Sequence, residues 1–140
     1  MRDAQRRVLK RVENTGMAVI SDLADLEDIH PREKLDVGYR LARLALNKHY
    51  KTLDELVESP ELSGIEIEKN KVHVLFEHSE GLYFKPNSES LFELAGADGV
   101  FFPAQAKIRD ERVLLVSKKV KAPVYVRFAW GNTRDSNLFN

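Results

Sequence analysis

The sequence predicts an α+β protein: helix–strand–helix elements of the α/β type, followed by an antiparallel β-sandwich or jelly-roll-like domain. Three observations predict it. Apolar residues recur at helical spacing in two stretches of residues 1–50, with one continuous apolar run between them. Beyond Ile65 the period changes to two, so alternate residues face opposite sides of a sheet. Turn signals then recur at short intervals, the pattern of sandwiches. The expected division is 1–50 for the α/β elements, 51–64 for a linker and 65–140 for the all-β domain.

Asp3 is a fitting N-cap for a first helix running to about Val12. Its basic cluster Arg6, Arg7, Lys10 and Arg11 is interrupted by Val8 and Leu9 in a helical pattern, which makes it a solvated face. Asn14-Thr15-Gly16 ends the helix, since glycine takes the left-handed cap conformation cheaply. Met17-Ala18-Val19-Ile20 follows as a continuous apolar run, expected as a parallel-type strand buried on both faces. Three acidic residues, Asp22, Asp25 and Glu27, then precede Asp28 and His30. Strand ends beside a helix start are where α/β folds place their sites.

Pro31 suits a first helical turn, where a missing N–H costs nothing, and Glu33 favours the positive end of the helix dipole. Val37, Leu41, Leu44 and Ala45, widened by Leu35, Gly38 and Ala42, predict a core-facing helix to about Lys48. One parallel-type strand finds no partner within this segment, so the rest of its sheet is expected from elsewhere. An exposed strand Met17–Ile20 also offers an edge for self-association.

Thr52-Leu53-Asp54-Glu55 has the capping-box pattern and predicts a short helical turn, with Ser59-Pro60 and Ser63-Gly64 as breaks beyond it. Ile65 and Ile67, a tight turn at Lys69-Asn70, then Val72, Val74 and Phe76 predict a hairpin. Further strands are expected at Leu91–Ala95, Phe101–Ile108, Arg112–Ser117 and Val124–Trp130. In the last, Val124, Val126, Phe128 and Trp130 share one face, and Tyr125, Arg127 and Ala129 the other.

Composition narrows the chemistry. Lys plus Arg and Asp plus Glu each total 22, so no global field recruits nucleic acid or an anionic membrane. With 43% hydrophobic and 31% charged residues, the composition is that of an ordinary globular protein. The absence of cysteine excludes a disulfide framework, a thiol nucleophile and any cysteine-ligated metal. His49, His73 and His78 lack metal-ligand spacing, and no metal or cofactor is expected. The N-terminus is arginine-rich without a signal-type apolar core, and no apolar run reaches the ~20 residues of a membrane span.

His30 is the residue best placed for catalysis. A serine hydroxyl is a weak nucleophile until an imidazole takes its proton, and a carboxylate then fixes the imidazole tautomer and stabilises the imidazolium. Without more, a histidine before a proline is commonly a surface or helix-capping residue. Asp28, two residues before His30, is the first candidate for the orienting acid, with Asp22 at the strand's end as the alternative. Ser21, Ser79, Ser117 and Ser136 match no nucleophile block, so none is expected in this chain.

The residues carry a family resemblance. The block Gly16-Met17-Ala18-Val19-Ile20-Ser21-Asp22-Leu23, followed by Asp28-Ile29-His30-Pro31 with Lys34, Val37, Arg40 and Leu41, resembles the last strand, histidine loop and closing helix of the sialate O-acetylesterases, carbohydrate esterases of the SGNH hydrolase superfamily. Phe92–Gly99, Phe102-Pro103-Ala104, Pro123–Trp130 and Asn137-Leu138-Phe139-Asn140 are similar to its later elements. The resemblance implies hydrolysis of O-acetyl esters on sialic acids or related sugars by a serine, a histidine and an acid, without a metal or cofactor. It implies that His30 is the base, that the serine and oxyanion-hole blocks lie in a preceding part of the same enzyme, and that this chain alone is inactive. Many SGNH enzymes place the acid three residues before the histidine, at Glu27 here, and Asp25 and Glu27 otherwise read as loop charges. A periplasmic or extracellular location is also implied. Arg127 is expected to pair a carboxylate and Trp130 to fill the sandwich core.

A second reading is a non-catalytic module whose β domain binds glycan or a partner. Exposed aromatic side chains at Tyr125 and Trp130 would favour it, and burial would favour a scaffold.

Overall fold

The computed structural model describes residues 2–23, 28, 30, 32–131 and 136–140. The chain divides into two compact units, Met1–Ser59 and Pro60–Asn140. Its fold is mixed α/β, with two helices and nine strands among the described residues, and every strand pairing is antiparallel. No helix among those residues is long and apolar enough to cross a membrane.

In the first unit, helix α1 spans Arg2–Leu9 and helix α2 spans Lys34–Lys48. α1 is shorter than expected at its far end, and Asp3 stands inside it rather than capping it. Its departure is made by Asn14, which adopts the left-handed conformation (φ 56°) expected of Gly16. Asparagine tolerates that region because its short polar side chain bonds locally. Met17–Ile20 is half-buried but is not a strand, because no neighbouring strand among the described residues supplies the ladder that defines one.

α2 begins three residues beyond the expected proline, and Pro31 lies outside the described residues. It ends at His49, whose backbone N–H donates to the Ala45 carbonyl at 3.0 Å, and Lys51 turns the chain away at φ 54°. α2 does not present the core-facing stripe that its pattern predicts. Leu44, against Gly16, is its one buried residue, whereas Leu41, Ala42 and Ala45 are exposed and Leu35 is 84% exposed. Two helices and an unpaired segment offer too little apolar surface to cover a whole helix face. The helical turn expected at Thr52–Glu55 is also absent. The stretch is irregular instead, and Asn47 Nδ2 donates to the carbonyls of Leu53 (3.0 Å) and Glu55 (3.1 Å).

The second unit holds three sheets. Strands β1 (Glu61–Glu68), β2 (Lys71–Glu77), β6 (Gln105–Arg109) and β7 (Arg112–Val116) form one, in the order β1-β2-β7-β6. Strands β4 (Phe92–Ala95), β5 (Phe101–Pro103) and β8 (Tyr125–Phe128) form another, in the order β5-β4-β8. The third is a short pair, β3 (Tyr83–Phe84) with β9 (Leu138–Phe139). Val72, Val74, Val113 and Leu115 from the first sheet, Phe92 and Leu94 from the second and Leu138 from the third share one core, consistent with a β-sandwich.

The β1–β2 hairpin turns at Lys69-Asn70 as its pattern predicts, with Lys69 at φ 56°. Ser63-Gly64 does not interrupt the chain but lies inside β1, where the register shifts between Leu62 and Gly64 as a bulge. The single strand expected at Phe101–Ile108 is two. The chain crosses from the second sheet to the first at buried Ala104, whose N–H bonds the Phe92 carbonyl at 2.9 Å.

Trp130 is not a core residue, contrary to the alternation of its strand. Ala129 takes a left-handed conformation (φ 46°) while donating its N–H to Leu91, which ends the alternation and leaves the indole 70% exposed. Val126 and Phe128 do pack against the core, whereas Val124 and Tyr125 are exposed.

The C-terminal tip is built into the sandwich. Asn137 is buried, and its Nδ2 donates to the Glu89 carbonyl (2.7 Å) and Ser88 Oγ (3.0 Å). The Asn137 carbonyl accepts from the Lys85 N–H at 2.8 Å, and Asn140 Nδ2 reaches the His78 carbonyl at 2.7 Å. The β3–β9 pair has no periodic signal of its own, since two-residue strands are too short to show one.

Candidate active site

The histidine loop leaves the first unit's apolar segment at Asp22 and returns at the start of α2. Asp28 and His30 are neighbours in space. Asp28 Oδ1 accepts the His30 backbone N–H at 2.9 Å and lies 3.2 Å from His30 Nδ1. The first bond is an Asx-type turn, in which an aspartate closes on the backbone two residues on. It bends the chain so that the imidazole swings over the same carboxylate. Arg32 adds a cation, its Nε 3.8 Å from Asp28 Oδ2.

With Nδ1 donating to Asp28, the other ring nitrogen carries the lone pair and can accept a proton. The ring is 79% exposed at the side chain, so Nε2 is open to a reacting group. An imidazole with a carboxylate at one ring nitrogen and the other nitrogen open is chemically suited to taking up a proton. Among the described residues no serine hydroxyl is hydrogen-bonded to His30. Ser117 is buried and donates to the Pro103 carbonyl at 2.9 Å.

Asp22, the alternative acid, is held elsewhere. Arg40 on α2 grips it with both arms of its guanidinium, Nη1 to Oδ1 at 2.7 Å and Nη2 to Oδ2 at 2.6 Å. The same Nη1 donates to the Val19 carbonyl. The hydrogen bond to Asp22 raises the Arg40 pKa, partly opposed by burial, with the charges of Asp22 and Asp36 adding to the rise. Asp25 and Glu27 lie outside the described residues.

The other candidates are structural in their geometry. Arg127 pairs Glu93 across β8 and β4 through Nε (2.8 Å) and Nη2 (3.1 Å), and its guanidinium lies 4.0 Å over the Phe101 ring. His49 caps α2 and meets Tyr50 edge-on at 4.9 Å. His73 lies in β2, and His78 follows it at φ 58°. No group of three or more His, Asp or Glu able to hold a metal occurs among the described residues. A cavity of about 460 Å³ lies in the first unit, floored by Leu41, Leu44 and Ala45 and rimmed by Asn14, Lys48 and His49.

Sequence reasoning gave no role to Arg32 or Arg40. Arg32 stands four residues after Asp28, a spacing that signals an ion pair only on a helix. Arg40 meets a partner 18 residues away, for which a single sequence carries no local signal.

No family model matches the chain, and no curated protein does. The solved structures do supply a likeness, and it is to a carbohydrate esterase. A carbohydrate acetylesterase from Xanthomonas citri is 36% identical and superposes with a TM-score of 0.88 over 99% of this chain. The match occupies 32% of that protein, so the chain spans about a third of its length.

Proposed function

We propose that this chain is part of a serine carbohydrate esterase that removes O-acetyl groups from sialic acids or related sugars. His30 is the general base, Asp28 orients it, and the serine nucleophile and oxyanion hole come from another part of the same protein. The likeness to a carbohydrate acetylesterase along nearly the whole chain carries this reading. The hydrogen bond between His30 and Asp28 supports it, and so does the engagement of Asp22 by Arg40.

In the proposed reaction, His30 Nε2 takes the serine proton as oxygen attacks the acetyl carbonyl. The imidazolium, held by Asp28, then returns that proton to the departing sugar oxygen. Water repeats the sequence and releases acetate. The exposed apolar positions of α2 and the unpaired segment Met17–Ile20 are the surfaces on which the remainder of an SGNH-type α/β domain would close, and self-association through that segment is the competing use.

The test is p-nitrophenyl acetate hydrolysis by this chain alone, and after mixing with the remaining polypeptide, with His30→Ala as control. Activity that arises only on mixing and is lost in the variant supports the reading. Activity of the chain alone that survives the substitution overturns it.

The exposed Trp130 and Tyr125 favour a second reading, in which the β unit binds glycan without catalysis. Trp130 is the single tryptophan. A saturable change in its emission on adding oligosaccharide to the isolated chain, absent in Tyr125→Ala, would support it.

A further inference from the structure

We propose that the two edges of the four-stranded sheet dock on one another between copies of this chain: β1 of one copy adds beside β6 of the next and continues the antiparallel ladder. The proposal is independent of the reading of His30 and Asp28.

Both edges are open. β1 pairs with β2 alone and β6 with β7 alone, and among the described residues no backbone hydrogen bond joins either strand to a further element. Such an edge is a template for another strand. Three successive antiparallel pairings leave β1 and β6 running in opposite directions. Copies set side by side in the same orientation therefore meet antiparallel, with their core-facing sides on one face of the joined sheet.

Turn geometry decides which backbone groups the edges offer. Each edge strand closes on its partner through a two-residue turn, Glu68 opposite Lys71 and Arg109 opposite Arg112. The closing pair of such a turn is hydrogen-bonded, and bonded pairs alternate along the ladder. Glu66, Glu68, Lys107 and Arg109 therefore spend their backbone groups inward, and those of Ile65, Ile67, Ala106 and Ile108 point out. A match of Ile67 with Ile108 is thus a bonded pair. It sets Glu68 opposite Lys107 and Glu66 opposite Arg109 in the non-bonded pairs, where side chains lie closest.

The charges select this match. Glu66, Glu68, Lys107 and Arg109 are all exposed, and Glu66 meets Arg112 only at 3.5 Å. One edge is acidic and the other basic, so like edges repel and unlike edges attract. The apolar side agrees. Ile65 and Ile67 stand opposite buried Val74 and Val72, yet are 44% and 51% exposed, and Ile108 of a second copy would cover Ile67. The contact joins two different surfaces, so it repeats from copy to copy and forms a ring or an open chain rather than a closed dimer.

Sedimentation velocity of the full chain across a concentration series tests this. The native chain is expected to form species that grow beyond the dimer and dissociate as salt is raised. Lys107→Glu with Arg109→Glu makes both edges acidic, and Glu66→Lys with Glu68→Lys makes both basic. Each double variant should raise the dissociation constant by about tenfold or more. Mixing the two in equal amounts should restore association, which also shows that both are folded. If either double variant loses its β-type circular dichroism, the single changes Lys107→Glu and Glu68→Lys take its place in the same comparison. A native chain that stays monomeric at every concentration overturns the proposal, and so does loss of association that mixing fails to restore. Association that neither variant weakens also overturns it, and is the result expected of pairing through Met17–Ile20.

Discussion

One oxygen of Asp28 meets His30 twice, accepting its backbone N–H at 2.9 Å and facing its Nδ1 at 3.2 Å. The backbone bond makes the turn, and the turn delivers the ring to the carboxylate. Local chain geometry alone thus sets the carboxylate beside the ring. A two-residue spacing suffices because the aspartate bends the chain around itself.

On the proposed function, substitution at this pair has a directional consequence in the whole protein. If His30 and Asp28 act as proposed, Asp28→Asn should lower kcat for acetyl ester hydrolysis by about 10⁴-fold and His30→Ala by about 10⁶-fold, each with a much smaller change in KM, since the proposed roles lie in proton transfer in the transition state. Steady-state kinetics of the three proteins would check it. A change confined to KM would remove both residues from the chemistry.

The Arg127–Glu93 pair should be worth more than an ordinary surface ion pair. It is bidentate and part-shielded, and the guanidinium also stacks on Phe101. Arg127→Ala is expected to cost about 2–3 kcal/mol, and Arg127→Lys to recover only part, because lysine keeps the charge and loses the fork. Urea midpoints at constant m-value would measure both.

Leu94 and Leu115 are each 0% exposed, on different sheets of the shared core. Leu94→Ala and Leu115→Ala should each destabilise the β unit by about 2–5 kcal/mol through lost transfer energy and the cavity left behind. Backbone circular dichroism during urea unfolding would give the value. A loss below about 1 kcal/mol would mean that the two sheets do not share one core.

Trp130 makes the opposite prediction. An exposed indole should emit near the wavelength of unfolded protein and be quenched freely by acrylamide in the native state. Trp130→Ala should shift stability by no more than about 0.5 kcal/mol. Blue-shifted, protected emission would restore the core assignment that its strand pattern implies.

Removal of residues 137–140 should destabilise the β unit strongly. The deletion takes away buried Leu138, strand β9 and the hydrogen bonds from Asn137 to Glu89 and Ser88. A loss of at least about 2 kcal/mol, read as a lower melting temperature, is expected from one buried leucine and two part-buried hydrogen bonds.

Much was legible from residue order because the signals were local. The hairpin with its Lys69-Asn70 turn, the far end of α2 and the strands from Phe92 and Arg112 all follow from periodicity and turn chemistry within a few residues. The pairing of Arg127 with a carboxylate was expected, but the identity of that carboxylate required the β4–β8 register.

The misreadings share one cause. Phe101–Ile108 reads as one strand, yet the chain changes sheets at Ala104; Trp130 fits an alternation that a left-handed Ala129 ends; and α2 carries a core-type face with only Leu44 buried. Periodicity reports which residues are suited to burial, whereas burial itself depends on what surface arrives from distant parts of the chain.

Residue order by itself determined the antiparallel β character of the second unit, the hairpin and the proximity of a carboxylate to His30, because each depends on neighbours a few bonds away. Tertiary structure alone decided that Arg40 holds Asp22, that the C-terminal tip closes against β3 and that Glu93 is the partner of Arg127. Those contacts join residues 18 to 56 positions apart, and their formation rests on the packing of whole elements rather than on any preference written into the local chain.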